Sequence, residues 1–151
     1  MTNDGMNLDD RLRRFVYDSV FERGSPPSIA ELSTKSIASE SEVRVGLARL
    51  AAARILVLQP SSGEILMAPP FSAVPTPFLV RTSRHESYAS CAWDALGVPV
   101  TLREPAQIAS ACGCCGDAMV LQTDGKATPR GSGVLHFAVP TRHWWDDVVF
   151  T

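Results

Sequence analysis

The sequence predicts an α+β protein. A winged-helix-like module of three helices and a hairpin comes first, and a small mixed β-sheet domain with a short helix carrying a cysteine and an aspartate follows. Two observations lead to this class: helical spacing with capping signals before residue 54, and short apolar runs bounded by Pro, Gly and Ser after it. We place the module at 1–68, a Pro-rich connector with its following strand at 69–80, and the second domain at 81–151.

The composition is that of a globular chain without electrostatic bias. The chain has 151 residues, 45% of them hydrophobic and 20% charged, with a formal net charge of −2. Lys and Arg number eight against eight Asp and Glu in residues 1–60, and six against eight in residues 61–151. Neither nucleic acid nor a membrane is therefore an expected partner. A polar start, with no apolar run of about 18 residues, predicts a cytoplasmic protein with reduced cysteines.

Three helices and a hairpin are expected in the first module. Each helix starts after a residue that can cap its first turn. The caps and expected spans are Asn7 for Leu8–Arg23, Ser28 for a helix ending near Lys35, and Ser39 for Glu40 to about Ala53. The segment ILVLQPSSGEILMA then predicts the hairpin. Acidic residues offset the arginines of the third helix and the hairpin turn has no basic residue, which favours a scaffold or dimerisation role over DNA binding.

The middle of the chain holds a proline-rich segment and a predicted short helix. PPFSAVPTP has four prolines and predicts a stiff surface connector, because proline is excluded from helix interiors and central strands. FLVRT then predicts a strand. Glu86–Pro99, ESYASCAWDALGVP, has apolar residues at helical spacing, with Gly97 and Pro99 as the stop signal.

The predicted helix carries a thiol and a carboxyl three residues apart. That spacing would put Cys91 and Asp94 on one side of the helix. A carboxyl beside an apolar stripe is costly unless it is paired or protonated, so the pair is a candidate reaction centre for a soft metal. A core cysteine and a surface aspartate would produce the same spacing.

A cysteine-rich segment, CGCCGD, is expected to form a tight turn. Cys112 and Cys115 have the spacing of a zinc knuckle, but no second pair of this kind exists, and His136 and His143 are too far apart to complete a site. We therefore expect no structural zinc. A turn whose thiols, including Cys114, pack or hold a soft metal transiently is favoured.

The remaining segments of the second half are short. Strands are predicted at 98–102, 118–122 and 134–140, with a turn or short helical piece at 105–110. The residues VVF at 148–150 predict a strand that is cut off as it begins, and hence a chain shorter than its relatives.

Three segments resemble the organomercurial (alkylmercury) lyases of bacterial mercury resistance: YASCAWDALGVP, the Cys112 region and VLHFAVPTRHWWDDVVFT. The first module is similar to the winged-helix-like N-terminal part of that family. The resemblance implies protonolysis of a carbon–mercury bond to a hydrocarbon and Hg(II), with Cys91 and Asp94 as the catalytic pair. The family's second catalytic cysteine follows the WWDDVVFT-like segment. The resemblance therefore also implies that the C-terminal part of the domain is missing here and that activity is weakened.

We predict substrate contacts from Tyr88, Trp93 and Trp144, and metal contacts from Cys91, with Cys112 and Cys115 as further candidates. No cofactor is required, and Hg(II) is the bound product. The expected partners are a small organomercury substrate and, as acceptor of Hg(II), cellular thiols or a mercuric reductase; a homodimer is compatible with the sequence. The alternative is a non-enzymatic protein that binds or senses soft metals through the CGCCG segment on a winged-helix scaffold.

Overall fold

The computed structural model describes residues 6–126 and 130–149 and confirms the α+β class. The described residues contain four α-helices and seven strands. The helices are α1 (Leu8–Arg23), α2 (Ile29–Ser36), α3 (Glu40–Ala52) and α4 (Ala92–Leu102). The strands are β1 (Val57–Leu58), β2 (Ile65–Ala68), β3 (Phe71–Ser72), β4 (Leu79–Arg81), β5 (Glu86–Ala89), β6 (Ala106–Ala111) and β7 (Ala118–Thr123).

The three N-terminal helices begin where their capping residues predict. The side chain of Asn7 caps α1, and Ser28 and Ser39 form reciprocal capping boxes at α2 and α3. α1 ends at Gly24, whose φ of +80° favours glycine. A Cβ at Gly24 would also clash with the carbonyl oxygen of Glu86. The end of α1 is therefore fitted against the start of β5.

The seven strands form one sheet in the order β1-β2-β3-β5-β4-β6-β7. The predicted hairpin is β1–β2, and β3 joins it to the strands of the second half. All neighbouring strands are antiparallel, so the prediction of a mixed sheet is wrong. Short connections link most consecutive strands, and such connections can only produce antiparallel pairs. The residue boundaries expected for two domains stay a prediction.

The proline-rich segment is not a surface connector. Phe71 and Ser72 form β3 between β2 and β5, and Phe71 has 0% exposure. Two prolines precede this strand and two follow it, so none of them occupies a ladder position. A strand of only two residues can thus lie inside the sheet although prolines surround it.

The helix expected at 86–99 divides into β5 and the first part of α4. Cys91 is the N-cap of α4, and the helix continues through Pro99 to Leu102, so the predicted stop at Gly97–Pro99 and the predicted strand at 98–102 are both wrong. Ala95, Val98 and Pro99 are buried, and α4 contacts β4, β5 and β6. Packing of this apolar side against the sheet offsets the backbone hydrogen bond that proline cannot donate.

Two further predictions in the second half are wrong. Residues 105–110 lie mostly in β6, whose first residues alternate between buried and exposed as a strand on a core requires. Residues 134–140 are irregular instead of a strand, and Val134 is 92% exposed. Val148 and Val149 lie in turns beyond a 3₁₀ turn at Thr141–His143, whereas Phe150, also expected in a strand, lies outside the described residues.

One apolar core extends from the N-terminal helices across the sheet to α4. Phe71 is the largest fully buried side chain among the described residues, and it meets Phe21 of α1 edge-on, with ring centroids 6.4 Å apart. None of the helices in the described part of the chain combines the length and the apolar character needed to cross a membrane.

Candidate active site

Helix capping holds Cys91 and Asp94 together. Cys91 has extended backbone at the N-cap of α4, and its Sγ accepts the backbone N–H of Asp94 at 3.5 Å. The thiol donates in turn to Asp94 Oδ2, also at 3.5 Å. The contact expected from their spacing is therefore present. Its cause is the pairing of an N-cap with the third helical residue, as in a capping box, because Cys91 lies just outside the helix.

Burial raises the pKa of both groups of this pair. Burial raises the pKa of Asp94, and only the hydrogen bond from Cys91 lowers it. Burial also raises the pKa of the Cys91 thiol, and the neighbouring Asp94 carboxylate raises it further. The backbone N–H groups of Asp94 and Trp93 act in the opposite direction. A proton can therefore be shared between a sulfur and an oxygen that are in direct contact.

A cavity of about 830 Å³ lies between α4 and one face of the sheet. Its walls include Ala92 and Ala95 of α4 and Ile108 of β6. Since Ala92 follows Cys91 directly, the cavity begins beside the cysteine–aspartate pair, although neither of those two side chains lines it. Cys112 and Cys114, in the turn that follows β6, line the same cavity.

Tyr88 lies on the other face of the sheet. Val80 pairs with both Ser87 and Ile108, so these side chains share the face that carries the cavity. Tyr88 follows Ser87 in β5, and neighbouring strand residues point to opposite faces. The predicted position of Tyr88 on the helix, one turn before Cys91, is therefore wrong.

Trp93 and Trp144 come together through a residue that sequence reasoning missed. The Phe137 ring lies 6.1 Å from Trp93 and 5.3 Å from Trp144, measured between centroids. The Trp144 indole N–H donates to the carbonyl of Val139 at 3.0 Å, which orients the ring. This aromatic cluster includes Trp93 of the first turn of α4, which is still 53% exposed. A lone phenylalanine in an irregular segment offered no signal of this contact.

Ser90 is a second residue that sequence reasoning did not assign to the site. Its Oγ is buried and has no hydrogen-bond partner among the described residues, and it precedes Cys91. An unpartnered hydroxyl beside the thiol is a polar group that a ligand could satisfy.

The cysteine-rich segment forms the predicted turn, joining β6 to β7. Cys112 N–H donates to the carbonyl of Asp117 at 2.8 Å, and Gly116 N–H donates to the carbonyl of Cys112 at 2.9 Å. Backbone N–H groups of Cys115 and Cys114, together with the Cys115 thiol, lower the pKa of Cys112. All four cysteines of the chain are free thiols. Within residues 6–126 and 130–149, no three His, Cys, Asp or Glu side chains are grouped to hold a metal ion.

The arginines on and after α3 make contacts within the molecule. Arg49 forms two hydrogen bonds with Asp9, at 2.6 and 2.7 Å, and Arg44 donates to a carbonyl of the β1–β2 hairpin at 2.7 Å. The guanidinium of Arg54 lies over the ring of Trp145, 5.6 Å from its centroid. The expectation that nucleic acid is not a partner stays a prediction.

The family model for alkylmercury lyase matches residues 71–151, which is more than half of the sequence. Among solved structures, the mercury-bound form of MerB2 is similar with a TM-score of 0.60 and 21% identity, covering 81% of this chain and 59% of that chain. The chain thus spans less than two thirds of the length of MerB2, and at this identity the likeness concerns the fold. No curated protein matches. Because the family model covers more than half of the chain, including β3 to β7 and α4, this chain belongs to the alkylmercury lyase family.

Proposed function

We propose that this chain cleaves the carbon–mercury bond of small organomercury compounds by protonolysis, giving a hydrocarbon and Hg(II). Cys91 binds the mercury and Asp94 carries the proton. The observation that carries the proposal is the 3.5 Å contact between the Cys91 thiol and the Asp94 carboxyl in a member of the alkylmercury lyase family. The likeness to MerB2, which binds mercury, supports the choice of substrate.

In the first step, the Cys91 sulfur forms a bond to the mercury of R–Hg–X and the ligand X leaves. Mercury is a soft metal and prefers thiolate. Since burial keeps the Cys91 thiol protonated by raising its pKa, a base must remove the proton as the sulfur–mercury bond forms. The Asp94 carboxylate already accepts a hydrogen bond from that thiol and takes the proton directly.

In the second step, Asp94 returns the proton to the carbon bound to mercury. The electron pair of the carbon–mercury bond becomes the new carbon–hydrogen bond, and mercury remains Hg(II) on the Cys91 sulfur. Burial raises the pKa of Asp94, which lets the carboxyl hold the proton until the carbon accepts it. General acid catalysis of this kind contributes about 10²–10⁴ in rate.

The organic group would occupy the cavity beside α4, whose walls are mainly apolar. The aromatic cluster of Trp93, Phe137 and Trp144 would shield the reacting atoms from one side. The atoms balance without a cofactor, and Hg(II) would leave to cellular thiols or to a mercuric reductase. The four free thiols fit a reducing compartment, and we place the reaction in the cytoplasm.

Benzene release from a phenylmercury salt, in excess monothiol, tests the proposal. The native chain should release benzene faster than the monothiol alone, and Cys91→Ser should fall to the monothiol rate. Circular dichroism would establish that Cys91→Ser is folded. A native chain no faster than monothiol, or a folded Cys91→Ser variant as active as the native chain, would overturn the assignment.

A further inference from the structure

The cavity between α4 and the sheet has a mainly apolar floor. Two cross-strand pairs of β6 and β7 form this floor on one face of the sheet: Ile108 with Leu121, and Ser110 with Met119. Phe78, just before β4, also lines the cavity. Protein interiors contain few voids larger than a water molecule, so a space of about 830 Å³ is not a by-product of packing. It is large enough to hold a ligand.

The roof of the cavity is one side of α4. Ala92, Ala95 and Leu96 line it, and their spacing of three and four residues puts them on the same side of the helix. Because the alanine side chains end at Cβ, the space between helix and floor stays open near the start of α4. Cys91 immediately precedes Ala92, so this open space begins beside the sulfur.

We propose that Ala92 and Ala95 are specificity-determining residues, which leave room for a bulky aryl group on the mercury. This inference rests on the proposed function, because mercury bound to Cys91 would place its organic group at the start of the cavity. Neither alanine takes part in the proton transfer. Their role is to decide which organic groups fit.

The volume of the cavity favours an aryl group over a methyl group. An apolar cavity of about 150 Å³ holds benzene, and drug-sized ligands occupy pockets of about 300–1,000 Å³. The cavity here exceeds the first figure and lies within the second range. A two-ring naphthyl group therefore fits, and it buries more apolar surface than phenyl or methyl. A methyl group would leave most of the walls without a contact.

Leucine at either position would fill part of this space. Leucine adds three carbon atoms to an alanine that faces the floor of the cavity. A mismatch of one methylene in an apolar pocket changes kcat/KM by about 10–200-fold. The larger the organic group, the more of the lost space it needs. We therefore expect either substitution to slow cleavage of a naphthylmercury salt more than cleavage of a methylmercury salt.

Hydrocarbon release from 1-naphthylmercury and methylmercury salts, in excess monothiol, tests the inference. For each protein, kcat/KM for naphthylmercury is divided by kcat/KM for methylmercury. Comparing this ratio between variant and native chain cancels the intrinsic difference in reactivity of the two salts. Ala95→Leu and Ala92→Leu should each lower the ratio by about 10–200-fold. The matched control is Ala48→Leu, which lies on an exposed position of α3 outside the cavity and should leave the ratio unchanged.

Two variants keep the test decisive if one does not fold. Ala95 is 1% exposed, whereas Ala92 is half-buried and tolerates a larger side chain more readily. Circular dichroism would establish which variants are folded. An unchanged ratio in the folded variants, or equal losses with both salts, would overturn the inference.

Naphthalene binding, followed by fluorescence, tests the cavity without mercury or catalysis. The native chain and Ala48→Leu should bind naphthalene, and Ala92→Leu and Ala95→Leu should bind it at least 10-fold more weakly. No binding by the native chain, or equal binding by all four proteins, would overturn the inference. Naphthalene binding without hydrocarbon release above the monothiol rate would reject the lyase proposal and leave the aryl pocket. Release with an unchanged ratio would reject the two specificity-determining residues alone.

Discussion

Replacing Asp94 with asparagine removes the proton carrier while keeping the shape of the site. The backbone N–H of residue 94 still donates to Cys91 Sγ, so the thiol stays at the start of α4 and can still bind mercury. An asparagine side chain can accept the thiol hydrogen bond but cannot take up the proton. Among the described residues, no other carboxyl accepts a hydrogen bond from the Cys91 thiol, so none is placed to substitute.

We expect Asp94→Asn to slow benzene release by about 10²–10⁴-fold, which is the contribution of general acid catalysis. This loss corresponds to a barrier higher by about 3–5 kcal/mol. The assay is single-turnover benzene release from phenylmercury, with capture of the substrate by Cys91 followed separately by loss of free thiol. Asp18→Asn is the matched control, because the Asp18 side chain is 48% exposed and its salt bridge with Arg14 lies outside the site. An Asp94→Asn variant as fast as this control would refute the role of the carboxyl.

The remaining predictions concern ionisation and stability. Because the Asp94 carboxylate raises the pKa of Cys91, Asp94→Asn should shift alkylation of Cys91 to lower pH, measured as the rate with iodoacetamide; an unchanged profile would contradict the contact. The raised pKa of Asp94 means that its contribution to stability is present below the unfolded pKa and is lost as pH rises through the folded pKa. Asp94→Asn should therefore raise the free energy of unfolding at pH 7 by about 1 kcal/mol relative to the native chain. This difference in the free energy of unfolding should disappear at acid pH, where Asp94 is protonated in both the folded and the unfolded chain. Gly24→Ala should cost about 1–3 kcal/mol in denaturant unfolding because of its positive φ and the clash with β5. Gly113→Ala, with open space around the added Cβ, should cost little. Phe71→Ala should cost about 3–5 kcal/mol, and a near-neutral result would contradict its place in the core.

Local signals were sufficient for the N-terminal helices. Asn7, Ser28 and Ser39 cap helices within a few residues of their own positions, so the pattern that predicts each start is itself the cause of the start. The strands that depend on distant partners were harder to predict. β3 exists because β2 and β5 lie on either side of it, and the prolines around Phe71 obscure that pairing.

The segment around Cys91 combines both cases. A strand followed directly by a helix places apolar residues at spacings that imitate one helix, so the pattern predicts a helix over β5 and a helix end at Pro99. The contact of Cys91 with Asp94 could still be predicted, because residues three apart are neighbours both inside a helix and between an N-cap and the third helical residue. The face of the sheet on which Tyr88 lies depends on strand register, which a single sequence does not display. The contact of Phe137 with Trp93 and Trp144 depends on how distant segments of the chain fold together.

A double-mutant cycle on benzene release tests most directly whether Cys91 and Asp94 act as one unit. The four proteins are the native chain, Cys91→Ser, Asp94→Asn and the double variant, each compared with the rate in monothiol alone. If the thiol passes its proton to the carboxyl, the double variant should be no slower than Cys91→Ser, because the second change removes a partner already without function. Losses that multiply, or a native chain no faster than monothiol, would contradict the account.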